Sequence, residues 1–409
     1  MLFDFNLKSS FLLFFFLHGL IFSAILLQKG ISHKHTPSRW LSLFIFLCTL
    51  YISPFMLGYA NWYSTNPYRD ILFYIPFQQL FLFPPVLYFY FKALLEPSYR
   101  FQKKDYLHFL PALIYLIYSI GIFFTDKVFL EQYYFYEDGK DKDFAFSYQV
   151  LGFVSFFIYL ILSLRTYQKY KSNIYNTYSY ADALILKWAQ RFLLAFLLLI
   201  IIRVLLFILN PEWDEFGRKF WYYMLFSALF NYISIKGYVS AIRSTISYGK
   251  LFHNKPAEEV EKTDDTALAN LDSKSFEQMD PQDLSQWKDK IEKLMLEEQF
   301  YSNPELSTFL IAQKLETHPK RISQVVNQAF QMNFNEYINS YRIQAVIEQI
   351  EKGEHVNKTL LGIATDCGFN SKSTFNRAFK KHISMSPKEY IEKISQESVS
   401  NQDLKRKAP

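Results

Sequence analysis

The sequence predicts an all-α protein: a seven-helix transmembrane bundle, a flexible linker, and an all-helical domain in water. Three observations predict it. Most of the chain's 43 Phe and 30 Tyr crowd into the first 240 residues, whereas acids and amides dominate beyond Lys250. Seven apolar segments in that first part are each about as long as the ~20 residues a helix needs to cross ~30 Å of hydrocarbon. From Leu284 onward the apolar residues fall at helical spacing, without β-branched alternation.

The segments run over roughly residues 7–27, 40–60, 71–95, 106–124, 146–167, 189–209 and 219–240. Buried helices of a large water-soluble protein would carry polar stripes and would seldom recur seven times with so few charges inside, so the membrane reading is preferred. A cleaved signal peptide is the rival for residues 1–27. Gln28, Lys29 and Gly30 stand where its small-residue cleavage site should be, so the first segment is expected to stay as a membrane helix.

Orientation follows from Lys and Arg, which cytoplasmic loops enrich. Loops one, three and five carry Lys29, Lys34 and Arg39, then Lys92, Arg100, Lys103 and Lys104, then Arg165, Lys169, Lys171 and Lys187. Loops two and six carry little beyond Arg69, Arg218 and Lys219, and loop four sets three lysines against six acids. The odd loops are therefore inside. Asn61, Glu137 and Pro211 are expected outside, as is the N-terminus, and everything after about Lys236 in the cytoplasm. The net charge of +6 averages two unlike halves and says little about partners. Two cysteines, Cys48 and Cys367, leave no disulfide framework.

Polar residues within the spans are candidate ligand contacts, because charge near the bilayer interior usually faces protein or a cavity. Arg203 either snorkels to the outer interface or serves as a buried ligand or helix partner with Gln78, Gln79 or Asn231. Pro84 and Pro85 should kink the third span. No HExxH, P-loop, paired-carboxylate or Ser-His-Asp pattern appears in the spans, so neither enzyme chemistry nor a cofactor or metal is expected. The expected domains are 1–240 (membrane), 241–283 (juxtamembrane helix and acidic linker), 284–395 (helical domain) and 396–409 (disordered tail).

Two helix pairs repeat within 284–395. In LSTFLIAQKLETHPKRISQVVNQAF a helix from about Leu306 to Leu315 is followed by one opening near His318. In LLGIATDCGFNSKSTFNRAFKK a helix from about Leu360 to Cys367 breaks at Gly368 and another opens near Asn370. Each reads as a helix-turn-helix. FNEYINSYRIQAVIEQI makes one long helix between them. Ile363, Ala364, Phe369, Phe375 and Phe379 are core residues by spacing.

This arrangement resembles the C-terminal DNA-binding domain of AraC-family bacterial transcription regulators. Its most specific part is IATDCGFNSKSTFNRAFKKHISMSPKEY, with the pattern IA, GF, S-x-F-x-R-x-F-K-x, then SP and an aromatic; Arg342, Ile343 and Ala345 add a further family feature. The resemblance implies two recognition helices entering neighbouring major-groove segments. The first would present Lys320, Ser323 and Gln324. The second would present Ser373, Thr374 and Arg377, with Lys372, Asn376, Lys380 and Lys381 nearby. Arg and Gln suit guanine and adenine edges, while Lys and hydroxyls suit phosphates. Gln331 and Ser384 replace the family's glycines after these helices, at ~1 kcal/mol each if the backbone needs positive φ.

The expected protein is a multi-pass regulator in the bacterial inner membrane with a cytoplasmic DNA-reading output. Expected partners are double-stranded DNA, membrane lipid, a second copy of the chain, RNA polymerase, and a small-molecule or peptide signal passed on by association of two chains. The alternative is a transporter or receptor with a C-terminal regulatory or protein-binding domain.

Overall fold

The structure, a computed structural model, describes residues 3–209, 219–252 and 278–406. Among them the helices have no β-strand for company, only an antiparallel bridge between Tyr178 and Ser307. Two compact units divide the chain, Met1–Gln168 with Leu186–Thr266, and Lys169–Ile185 with Ala267–Pro409. Residues 169–185, expected as a plain inner loop of the membrane half, thus fold with the C-terminal unit.

In the N-terminal unit, six helices among the described residues are long and apolar enough to cross a membrane. They are α1 (Leu7–Ser32), α2 (Thr36–Tyr59), α5 (Leu110–Phe124, lengthened by a 3-10 helix over Lys103–Phe109 and a π turn over Thr125–Phe129), α6 (Phe146–Thr177), α8 (Lys187–Leu209) and α9 (Phe220–Phe252). Asn6 starts α1 by accepting hydrogen bonds from the Lys8 and Ser9 amides, each at 3.0 Å. α2 is the hub: 72% of its most apolar window is buried, against 22% for α1 and 11% for the α5 segment. The outer helices turn Phe14, Leu113, Ile117, Val154 and Leu198 to the surroundings, an apolar surface that only lipid or a partner would tolerate. α1 and α2 touch closely because a Cβ at Gly19 would stand 2.0 Å from Thr49 Oγ1.

The third apolar segment departs from expectation. It forms α3 (Tyr68–Tyr74), an irregular stretch over 75–82, and α4 (Phe83–Leu95). At 1.5 Å per residue the 13 residues of α4 reach about 20 Å, short of the hydrocarbon thickness. Pro84 and Pro85 lie in the first turn of α4, where no intrahelical N–H bond is needed, so they start a helix and do not kink one. The irregular backbone finds partners inside the unit. Asp143 accepts from the Gln78 amide at 3.0 Å, and the Tyr148 hydroxyl accepts from the Leu80 amide at 3.1 Å and donates to the Gln78 carbonyl. At one end of the unit Tyr63 bonds Asp141 and Tyr74 bonds Asp126. At the other, Trp40 stacks among Phe89, Phe101 and Phe109.

The C-terminal unit holds α7 (Ala181–Leu184), α10 (Pro281–Leu296), the first pair α11 (Thr308–Lys314) and α12 (Pro319–Phe330), the long α13 (Phe334–Glu351), the second pair α14 (Leu360–Asp366) and α15 (Lys372–Ile383), and α16 (Pro387–Arg406). α13 serves two cores. Phe334, Tyr337 and Ile338 pack with Ile291, Ile311 and Val325, while Ile343, Val346 and Ile350 pack with Ile363, Phe375 and Phe379. α16 continues into the stretch expected as a disordered tail. The linker stretch 253–277 lies outside the described residues, as do Pro211 and Arg218.

Candidate functional site

The second helix pair is set by local rules. Thr359 caps α14 by accepting from the Gly362 amide at 3.0 Å. The turn needs Gly368: its φ is +93°, and an added Cβ would meet the carbonyl oxygens of Tyr301 and Ser302 at 2.6 and 2.8 Å. Ser371 then opens α15, its Oγ accepting from the Thr374 amide at 3.2 Å. Phe375 and Phe379 turn inward, 5.7 Å apart, with Phe369 5.4 Å from Phe375. The opposite face is exposed. Lys372, Asn376 and Lys380 form one row on it and Ser373, Arg377 and Lys381 the next, at the four-residue spacing of helix neighbours.

Two of these cations already have partners: Arg377 meets Asp182, and Lys381 meets Glu336 on α13. Burial would raise the Glu336 carboxyl, but the hydrogen bond and charge of Lys381 hold it below its ordinary value. Thr374 corrects the expectation. It is 6% exposed, beside Phe375 and Ala378 on the inner face.

In the first pair Lys320 is exposed and Gln324 half-buried, whereas Ser323 is 1% exposed and belongs to the core side of α12. Ser323, too, is corrected as a DNA contact by its burial. Arg321 is committed to structure, pairing with Asp283 and lying 4.8 Å over the Trp287 ring. The first pair therefore offers little charge to a polyanion.

Residues 311–393 match the family model of a helix-turn-helix domain. No curated protein and no solved structure matches the chain. The matched stretch runs from within α11 to within α16, so the charged face of α15 lies inside a DNA-binding type of domain.

Arg342, noted for the family pattern, proves to be a buried tie. At 1% exposed it donates to the carbonyls of Tyr301 at 2.8 Å and Asn303 at 2.7 Å, and to Ser179 Oγ at 3.0 Å. Burial pulls its guanidinium down to about 9, which leaves it charged at neutral pH. Gln331 and Ser384 end α12 and α15 with φ of +55° and +64°. Both positions thus adopt the left-handed conformation without glycine. Gln331→Gly and Ser384→Gly should each stabilise the unit by about 1 kcal/mol, readable as a raised melting midpoint of the intact chain.

Of the polar residues proposed for a membrane ligand, Arg203 and Gln78 both lie against α6, at Phe153 and Gln149. Arg203 is buried with its guanidinium 5.7 Å from the Phe153 ring and 5.6 Å from the Tyr222 ring. Gln78 is met by Gln149 at 2.9 Å, Gln79 donates to the Pro76 carbonyl at 2.7 Å, and the Asn231 carbonyl accepts from Ser234 at 2.7 Å. Among the described residues no group of His, Cys, Asp or Glu is placed to hold a metal ion.

Sequence reasoning missed two groups. Asp182 is the only acid between Arg165 and Lys187, a signal that was legible but unused. The other is the carboxylate pair Asp141 and Asp143 before α6, drawn from a loop that reads only as acidic. Asp143, 5% exposed, accepts from Tyr115 at 2.5 Å, and Asp141 accepts from Tyr63 at 3.2 Å and from the Asp143 amide at 2.9 Å. Lys142 turns away to Asp138 at 3.7 Å. Burial pushes the Asp143 carboxyl up to about 6, and burial with the adjoining Asp143 charge raises Asp141.

A carboxyl raised in the folded state makes that state bind more protons between about pH 4 and 6. Its stabilising share is present in full below the unfolded pKa and is lost as pH rises through 6. Melting midpoints in detergent should fall between pH 4.5 and 7.5 by an amount on the order of 2–3 kcal/mol of stability, and Asp143→Asn should flatten that profile.

Proposed function

We propose that this chain is a membrane-anchored, sequence-specific transcription regulator of the AraC type. Its N-terminal half crosses the bacterial inner membrane and responds to a small-molecule or peptide signal, and its two helix pairs meet the major groove in the cytoplasm. One observation carries the proposal. A helix within a matched helix-turn-helix stretch presents four cations and two small polar side chains on the face opposite its core, the composition that reads base edges and phosphates together.

Seven membrane crossings fit the contacts of the N-terminal unit. Tyr63 and Tyr74 bond residues of the loop around 126–141, while Trp40 meets Phe101 and Phe109. The broken segment 68–95 then runs from one end of the unit to the other. That supports an N-terminus outside and a C-terminal unit inside, in line with the Lys and Arg of the odd loops.

The second helix pair is the main reader, since the first exposes little charge. Arg377→Ala should lose roughly 1–3 kcal/mol on the preferred site and less on unrelated DNA, while Lys380→Ala should weaken all sequences alike. Mapping occupied sites of the intact chain in its own cell, with each variant beside it, is the test. Equal loss by Arg377→Ala on preferred and random DNA removes base reading from the account.

A further inference from the structure

We infer that the inner loop between α6 and α8 is a built-in inhibitor of DNA binding, in which residues 175–182 hold the C-terminal unit and Asp182 occupies Arg377. This rests on the DNA-reading function proposed above and adds its control. The loop is docked by a specific set of bonds. Tyr178 bridges Ser307 in antiparallel fashion, and the Ser179 amide donates to the Leu306 carbonyl at 3.0 Å. Asn335 donates to the Ser179 carbonyl at 2.6 Å and Arg342 to Ser179 Oγ at 3.0 Å. Ser179 is fully buried by these contacts.

Asp182 is aimed by its own segment, for Tyr175 donates to its Oδ1 at 2.9 Å while the carboxylate meets the Arg377 guanidinium. A carboxylate there stands in for the anionic or acceptor groups of DNA, and the end of α6 lies beside the helix. A cavity of about 380 Å³ lined by Lys171, Tyr175, Arg377, Lys381 and His382 separates the two. A recognition helix must sink into a groove about 12 Å wide, which leaves no room for a second helix end on the same face.

The contact is suited to release. It consists of a few hydrogen bonds, the Tyr178–Phe309 ring contact and one ion pair whose Arg377 side is half exposed, so opening it uncovers one short segment of chain. Thr177 ends α6 and Lys187 begins α8. A movement of either helix therefore reaches the loop within ten residues of chain, whereas the route through 253–277 is much longer. Control through this loop replaces association of two chains as the way a signal reaches α15.

The test uses the intact chain in lipid nanodiscs and, as probe, the fragment it retains best from sheared genomic DNA of its own cell. Asp182→Ala should bind that fragment roughly two- to fivefold more tightly than the parent, the worth of one partly exposed ion pair. A disulfide between Tyr178→Cys and Ser307→Cys, made with Cys48 and Cys367 changed to Ala, should weaken binding at least tenfold, and reduction should restore it. Unchanged affinity in both Asp182→Ala and the locked chain overturns the inhibitor while leaving DNA reading intact. Failure of every form to bind DNA, reduced chain included, overturns DNA reading and the inhibitor with it.

Discussion

Gly368→Ala should unfold the second helix pair in the intact chain. A methyl group there adopts a φ of +93° and meets two backbone oxygens at under 3 Å. The left-handed conformation costs about 1–2 kcal/mol for an L-residue and overpacking a further 1–3 kcal/mol. The loss should thus approach 3 kcal/mol or more. Hydrogen exchange over residues 360–383 should rise sharply, while α2, in the other unit, keeps its protection. Unchanged exchange would mean that the 301–302 backbone yields, against the close approach described here.

Arg342→Ala is the second large effect. The side chain is fully inside, so its removal leaves a cavity and strands the carbonyls of Tyr301 and Asn303. Truncating a large buried side chain to Ala costs about 3 kcal/mol, and the loss of two hydrogen bonds to partly buried carbonyls adds to it. Arg342→Met keeps much of the volume but no donor, and Arg342→Lys cannot fork to both carbonyls. The expected order of stability is parent, then Met, then Ala, by exchange of the 300–303 amides. Because Arg342 also holds Ser179, all three variants should loosen residues 178–180.

The C-terminal helices were legible because their apolar residues keep helical spacing and their ends carry plain signals. Ser371, Thr359 and Asn333 are caps, and Gly368 is a forced turn. The helix read over 334–350 is α13 almost residue for residue. The break in the third apolar segment was not legible. Apolar text is the same whether a helix continues or stops, and here it stops because Asp143 and Tyr148, some seventy residues on, take up the Gln78 and Leu80 amides. The burial of Ser323 and Thr374 was available from helix faces alone, since Ser323 stands three residues before the core side chain Val326 and Thr374 four before Ala378. Carrying positions over by resemblance passed over that. The docking of residues 175–182 depends on partners from 306 to 377, which no local pattern reveals.

The most direct measurement is retention of sheared genomic DNA by sealed membrane vesicles that carry the intact chain. Inside-out vesicles should retain a discrete set of fragments. With Arg377→Ala they should lose that selection yet still hold DNA through the remaining lysines, and right-side-out vesicles should retain none. Equal retention by both orientations, or an unchanged fragment set with Arg377→Ala, would contradict a membrane-anchored reader whose recognition helix faces the cytoplasm.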